Sequence, residues 1–138
     1  MAVHGVRDVV VASYVNLTAV LALLATALRG GTDVAIVCAG RGRQFSLEDA
    51  GCAGRYVNQV TRRLTSVDLN DAATAASFID RKYGDNLMRL FLASEHGRAL
   101  REAGFRDDLP ACGSVDAFGV LPVYDERQIT NSGPERER

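Results

Sequence analysis

Val9-Val10-Val11 is an unbroken apolar run closed by Ala12 and Ser13. A short run without helical gaps is the pattern of a strand covered on both faces, so 8–13 is predicted as a first strand. Asn16 then offers an N-cap, and the Leu, Ala, Val and Thr residues from Leu17 to Arg29 read as a helix closed by Gly30-Gly31. Asp33-Val34-Ala35-Ile36-Val37-Cys38 repeats the first pattern. Strand, helix and strand in succession predict a right-handed crossover with parallel strands, which sets the class as α/β.

After the glycine-rich turn Ala39-Gly40-Arg41-Gly42-Arg43-Gln44-Phe45, Ser46 opens a long predicted helix to about Leu64. Its apolar residues Leu47, Ala50, Ala53, Gly54, Val57, Val60 and Leu64 recur along one face. Further helices are predicted from Asn70 to Gly84, Asn86 to Ala93 and Glu95 to Ala103. The run Gly119-Val120-Leu121-Pro122-Val123-Tyr124 reads as a last strand, with Pro122 at an edge or near the strand start because proline cannot donate to a ladder. The expected architecture is a three-layer α/β/α domain over 1–124, with a small, at least partly parallel sheet and a four-helix flank. The polar tail 125–138, which holds Gly133-Pro134, is expected to be unpacked.

Composition narrows the function. The 138 residues carry 16 basic and 17 acidic side chains, a net charge of −1, which argues against a nucleic-acid or membrane-surface binder. Lys82 is the one lysine. The longest apolar stretch, Leu17 to Leu28, is shorter than the roughly twenty residues a bilayer needs. The amino terminus lacks the charged, apolar and small-residue succession of an export signal. Three widely spaced cysteines, Cys38, Cys52 and Cys112, fit neither a disulfide scaffold nor a zinc knuckle. A cytoplasmic location is the expectation.

The turn at the carboxyl end of the predicted second strand is where open α/β sheets place ligands. Gly40 and Gly42 permit close backbone approach, Arg41 and Arg43 add positive charge, and the helix opening at Ser46 presents free N–H groups to an anion. An exposed loop with solvated arginines fits the same residues, since neither a third dinucleotide-type glycine nor a P-loop lysine is present. Glu48 and Asp49 could hold a divalent cation beside that anion. Against this, Ser46 and Asp49 resemble a capping box, and neighbouring helix residues point about 100° apart. Cys38 sits where a nucleophile would be useful, although a buried cysteine is usually an apolar filler. His96, near a helix start if Ser94 is its cap, could carry a proton or simply pack. Asp107, Asp108 and Asp116 could be metal ligands or turn formers.

Taken together, Cys38-Ala39-Gly40, Gly42-Arg43, Phe45-Ser46-Leu47-Glu48-Asp49 and Cys52-Ala53-Gly54 resemble the 2-phosphosulfolactate phosphatase (ComB-like) family. A second block agrees in order and spacing: Ser94, His96-Gly97, Leu100, Gly104, Asp107-Asp108, Cys112, Val115-Asp116 and Val120-Leu121-Pro122-Val123. The resemblance implies a magnesium-dependent hydrolase that releases phosphate from 2-phospho-3-sulfolactate on a route to coenzyme M. It assigns phosphate or sulfonate oxygens to Gly40, Arg41, Gly42, Arg43 and Ser46, Mg²⁺ to Glu48 and Asp49, and catalytic duty to Cys38, Arg43 and Asp49. The resemblance covers about the second half of a typical member, so the other half's loops, with no counterpart before Met1, are expected to supply part of the site. Arg41 departs from the small or polar residue common there. The implied partners are a small anionic substrate and either a second copy or a chain supplying the other half. A non-catalytic anion-binding or assembly domain is the alternative.

Overall fold

The computed structural model describes residue 6 and residues 8–132. Strand β1 (Val9–Val10) and a 3₁₀ turn (Tyr14–Asn16) lead into α1 (Leu17–Arg29). After a long connection come α2 (Leu47–Arg63), α3 (Asp71–Tyr83), α4 (Leu87–Ala93) and α5 (Glu95–Glu102), the four consecutive helices expected. A 3₁₀ turn at Arg106–Asp108, a short α6 (Leu109–Cys112) and the hairpin β2 (Pro122–Asp125) and β3 (Gln128–Asn131) complete the chain. Helix and sheet share one α/β unit. No helix among the described residues is long and apolar enough to cross a membrane.

Helix starts follow local chemistry. Ser46, Asn70, Asn86 and Ser94 each accept a main-chain N–H three residues on, from Asp49, Ala73, Arg89 and Gly97. Asn16 does not cap α1. Its side chain accepts the Ser13 N–H at 2.9 Å and donates to the carbonyls of Val11 and Val120 at 3.0 and 3.3 Å, pinning two strand ends together. The α1 terminus is served from far along the chain, because Asp116 accepts from the Thr18 N–H at 2.6 Å and the Thr18 hydroxyl at 2.7 Å. Asp116 is therefore a capping residue.

The sheet corrects the parallel expectation. β1 pairs antiparallel with β2 (Val9 with Tyr124, Val10 with Val123), and β2 pairs antiparallel with β3. The predicted second strand, Asp33–Cys38, forms no ladder among the described residues. Ile36 and Val37 are exposed where the pattern required cover on both faces, and a strand exists only against a neighbour. The predicted first strand likewise shrinks to two residues. Pro122 opens the central strand, where its carbonyl still accepts from the Val11 N–H at 2.9 Å. Past Asp125, the expected unpacked tail begins as β3, exposed along its length; Gly133-Pro134 lies outside the described residues.

α2 is the organising element. Its Tyr56 and Val60 pack on Leu17, Val20 and Leu21 of α1, with Val10 and Leu121 against the same cluster. A second cluster joins Tyr14, Leu90, Phe91 and Leu109, with Leu47 from the start of α2. Gly54 lets α2 and α3 touch backbone to backbone, since a Cβ there would lie 1.9 Å from the Ala76 carbonyl oxygen. Polar contacts lock the same interface. Asp80 receives Arg55 Nε at 2.7 Å and Asn58 Nδ2 at 2.8 Å, and Arg55 also reaches the Gly84 carbonyl.

Candidate functional site

Gly40, Gly42 and Arg43 have φ of 69°, 56° and 65°. Arg41 and Gln44 exchange main-chain hydrogen bonds, 3.3 Å from the Arg41 N–H and 2.9 Å from the Gln44 N–H, closing a two-residue hairpin around Gly42-Arg43. Both central residues lie at positive φ, as the tightest hairpin turns require. At Gly40 a side chain would collide, because a Cβ would sit 2.8 Å from the Gln44 carbonyl oxygen. The turn is thus a built feature, and both arginines stand exposed on it without an ion pair among the described residues.

The turn runs directly into the start of α2. Ser46 Oγ accepts the Asp49 N–H at 3.2 Å, which is the capping half of the expected box. The Asp49 carboxylate does not return to Ser46; its Oδ2 accepts the Gly40 N–H at 2.7 Å. The Leu47 and Glu48 amides, two of the orphan donors of a helix start, have no acceptor among the described residues. Glu48 Oε1 faces His96 Nδ1 at 3.1 Å. Glu48 and His96 each sit second in their helices, α2 and α5, so two helix starts converge. Between them lies a cavity of about 310 Å³ lined by Arg41, Gly42, Gln44–Glu48, Glu95 and His96.

Arg41 lines this cavity and Arg43 does not. Arg41, two free amides and the dipole of a full-length helix favour an anion, while Glu48 and Glu95 oppose it. His96 Nδ1 faces one of those carboxylates, Glu48, at 3.1 Å. The Cys38 thiol is pushed upward, first by partial burial and then by the Asp49 carboxylate, which disfavours the thiolate a nucleophile needs. Burial, followed by Asp49 and Cys38, pushes Cys52 up to about 12, with Arg55 opposing and Asp80 adding least. Cys112 is exposed on α6.

The donor set is short of a magnesium site. Mg²⁺ wants near-octahedral oxygen coordination, whereas one oxygen of Asp49 is taken by Gly40, Glu48 turns to His96, and no group of three or more His, Cys, Asp or Glu among the described residues could hold a metal. Asp107 and Asp108 lie in an exposed 3₁₀ turn, apart from the cavity lining.

A sequence model of the 2-phosphosulpholactate phosphatase family matches residues 1–127. The chain belongs to that family. A probable 2-phosphosulfolactate phosphatase of Symbiobacterium thermophilum is 38% identical over 125 residues, covering 91% of this chain and 52% of that protein. Proteins of the same description from Pseudothermotoga lettingae and Thermotoga maritima are 29% and 32% identical over 89% and 85% of this chain, and 51% and 48% of their own lengths. The chain therefore spans about half the length of these family members.

Within this family chain, the site residues named from sequence fall into two groups. Arg41, Gly42, Ser46 and Glu48 share the cavity, and Gly40 and Asp49 brace it from behind. Arg43, within the turn, and Cys38, just before it, do not line the cavity. His96 and Glu95 join a site to which sequence had not attached them. The available signal was Ser94: a capping serine places both residues in the first turn of α5, matching Leu47 and Glu48 after Ser46.

Proposed function

We propose that the cavity between the Arg41–Gln44 hairpin and the start of α2 cradles the phosphate or sulfonate group of a small acid, as the anion-binding part of a 2-phosphosulfolactate phosphatase site. One observation carries this reading: Arg41 lines the same cavity as Leu47 and Glu48, whose amides have no acceptor among the described residues, in a chain of that family. Hydrolysis of a phosphate monoester joins a water oxygen to phosphorus, breaks the bond to the substrate oxygen and returns a proton to that oxygen. Arg41 and the amides would neutralise charge on the phosphoryl oxygens, which is the main demand of the reaction. His96, held by Glu48, stands at the cavity wall as the group able to deliver a proton. Gly40 and Asp49 keep the hairpin fixed to the helix start. Three free thiols fit a reducing, cytoplasmic setting.

Binding without turnover is the second reading, favoured by the burial and the Asp49 carboxylate that disfavour a Cys38 thiolate, and by the short set of metal donors among the described residues. Calorimetric titration with inorganic phosphate and with 2-phosphosulfolactate, beside an assay of released phosphate, separates the two. The expected result is saturable binding weakened about tenfold in Arg41→Ala, the loss of one charge-assisted contact. Phosphate release by the chain, with or without added Mg²⁺, establishes the enzyme reading; binding alone establishes the binding module; absence of binding refutes both.

A further inference from the structure

We propose that the segment from Val34 to Ala39 is a docking strand whose occupant is a β-strand of the polypeptide corresponding to the half of the relatives that this chain does not match. The segment is apolar, and Ala35, Ile36, Val37, Cys38 and Ala39 are all exposed, with Ile36 and Val37 at 41% and 56%. Among the described residues no hydrogen bond reaches the main chain between Asp33 and Ala39. It is nevertheless held at both ends. The Thr32 N–H donates to the Ala27 carbonyl at 3.0 Å, and the Gly40 N–H to Asp49 at 2.7 Å. A β-branched run fixed at its ends, with free donors and acceptors on both edges, is a template for strand addition.

The choice of occupant comes from the comparisons. The relatives are about twice as long as the matched region, 52%, 51% and 48% of their lengths being covered, so a comparable mass of protein accompanies this unit in each. A strand from that mass would satisfy the free backbone groups and bury Ile36 and Val37. It would also approach the anion cavity, since the segment ends at Ala39, followed only by Gly40 before the Arg41–Gln44 hairpin. The proposal rests on the family membership and not on anion binding.

The test mixes the full chain with the unmatched half of the Symbiobacterium thermophilum relative, produced as a separate polypeptide. Light scattering and calorimetry read the complex, and hydrogen exchange reads the amides. The expected result is a one-to-one complex in which amides 34–39, fast-exchanging in the free chain, become protected. Alternate amides face opposite edges of a strand, so either Ile36→Pro or Val37→Pro should weaken binding about tenfold or more. Neither should lower the melting temperature of the free chain, which spends no hydrogen bond there. Val37→Lys keeps the backbone donor but places a charge in the contact, and should weaken binding without relying on proline. Three outcomes overturn the proposal: no complex, a complex that leaves these amides exchanging freely, or self-association that protects them without the added half. No readout involves phosphate, metal or turnover, so this failure is distinct from failure of the anion site.

Discussion

The main-chain N–H of Gly40 donates to Oδ2 of Asp49 at 2.7 Å, tying the end of an unpaired apolar segment to the first turn of α2. Gly40 must be glycine there, with φ of 69° and the Gln44 carbonyl where a Cβ would go. Asp49 is thereby a brace for the turn that lines the proposed anion cavity.

Removing that brace should loosen the turn before it unfolds the chain. Asp49→Ala is expected to cost about 2 kcal/mol and Asp49→Asn, which keeps an acceptor, about half as much. Urea denaturation gives the stabilities, and hydrogen exchange at Gly40 shows whether the loss is local. Unchanged exchange at Gly40 would contradict the assignment.

Two buried tyrosines make opposite predictions. Tyr56 donates its hydroxyl to the Ser13 carbonyl at 2.8 Å, whereas the Tyr14 hydroxyl has no partner among the described residues. Tyr56→Phe should lose about 1 kcal/mol, and Tyr14→Phe should be neutral or stabilising because it deletes an unpaired buried polar group. Thermal melts of the two variants check the sign of each.

Gly54→Ala should be among the most damaging single-atom changes in the chain. The new methyl would lie 1.9 Å from the Ala76 carbonyl oxygen, a backbone atom that cannot step aside as a flexible side chain can. A loss of about 3 kcal/mol is expected from overpacking at this helix contact. Denaturant unfolding that shifts by less than about 1 kcal/mol would show that α2 and α3 slide apart at little cost.

Alkaline pH should destabilise the fold. Burial pushes the Cys52 thiol from its ordinary 9.0 up to about 12, and raises both Tyr14 and Tyr56. A native pKa above the unfolded one means that the unfolded chain releases its proton first, so the stabilisation is complete below pH 9.0 and is lost as pH climbs towards about 12. Melting temperature should therefore fall through that window, and Cys52→Ala should flatten part of the fall. The raised Cys38 pKa also predicts slow alkylation at neutral pH despite its exposure.

The helices were legible because their signals are local. Ser46, Asn70, Asn86 and Ser94 cap where sequence placed them, and the apolar face of α2 is the buried one. The strands were not, because a strand is defined by its neighbour. Asp33–Cys38 has the composition of a buried strand and lies unpaired, while Gln128–Asn131, with one apolar residue, pairs because the preceding turn returns it beside β2. The same distinction divides the site. The Arg41–Gln44 turn and the Ser46 cap were readable, whereas Asp116 capping α1 and His96 meeting Glu48 join residues 98 and 48 positions apart.

Backbone amide NMR of the full chain, titrated with inorganic phosphate, tests the anion cavity most directly. Saturable shifts are expected at Gly42, Gln44, Leu47 and Glu48, needing about tenfold more phosphate in Arg41→Ala and less in Glu95→Gln, which removes an opposing carboxylate. Unmoved resonances at Leu47 and Glu48 at saturating phosphate, or shifts that persist unchanged in Arg41→Ala, would contradict the account.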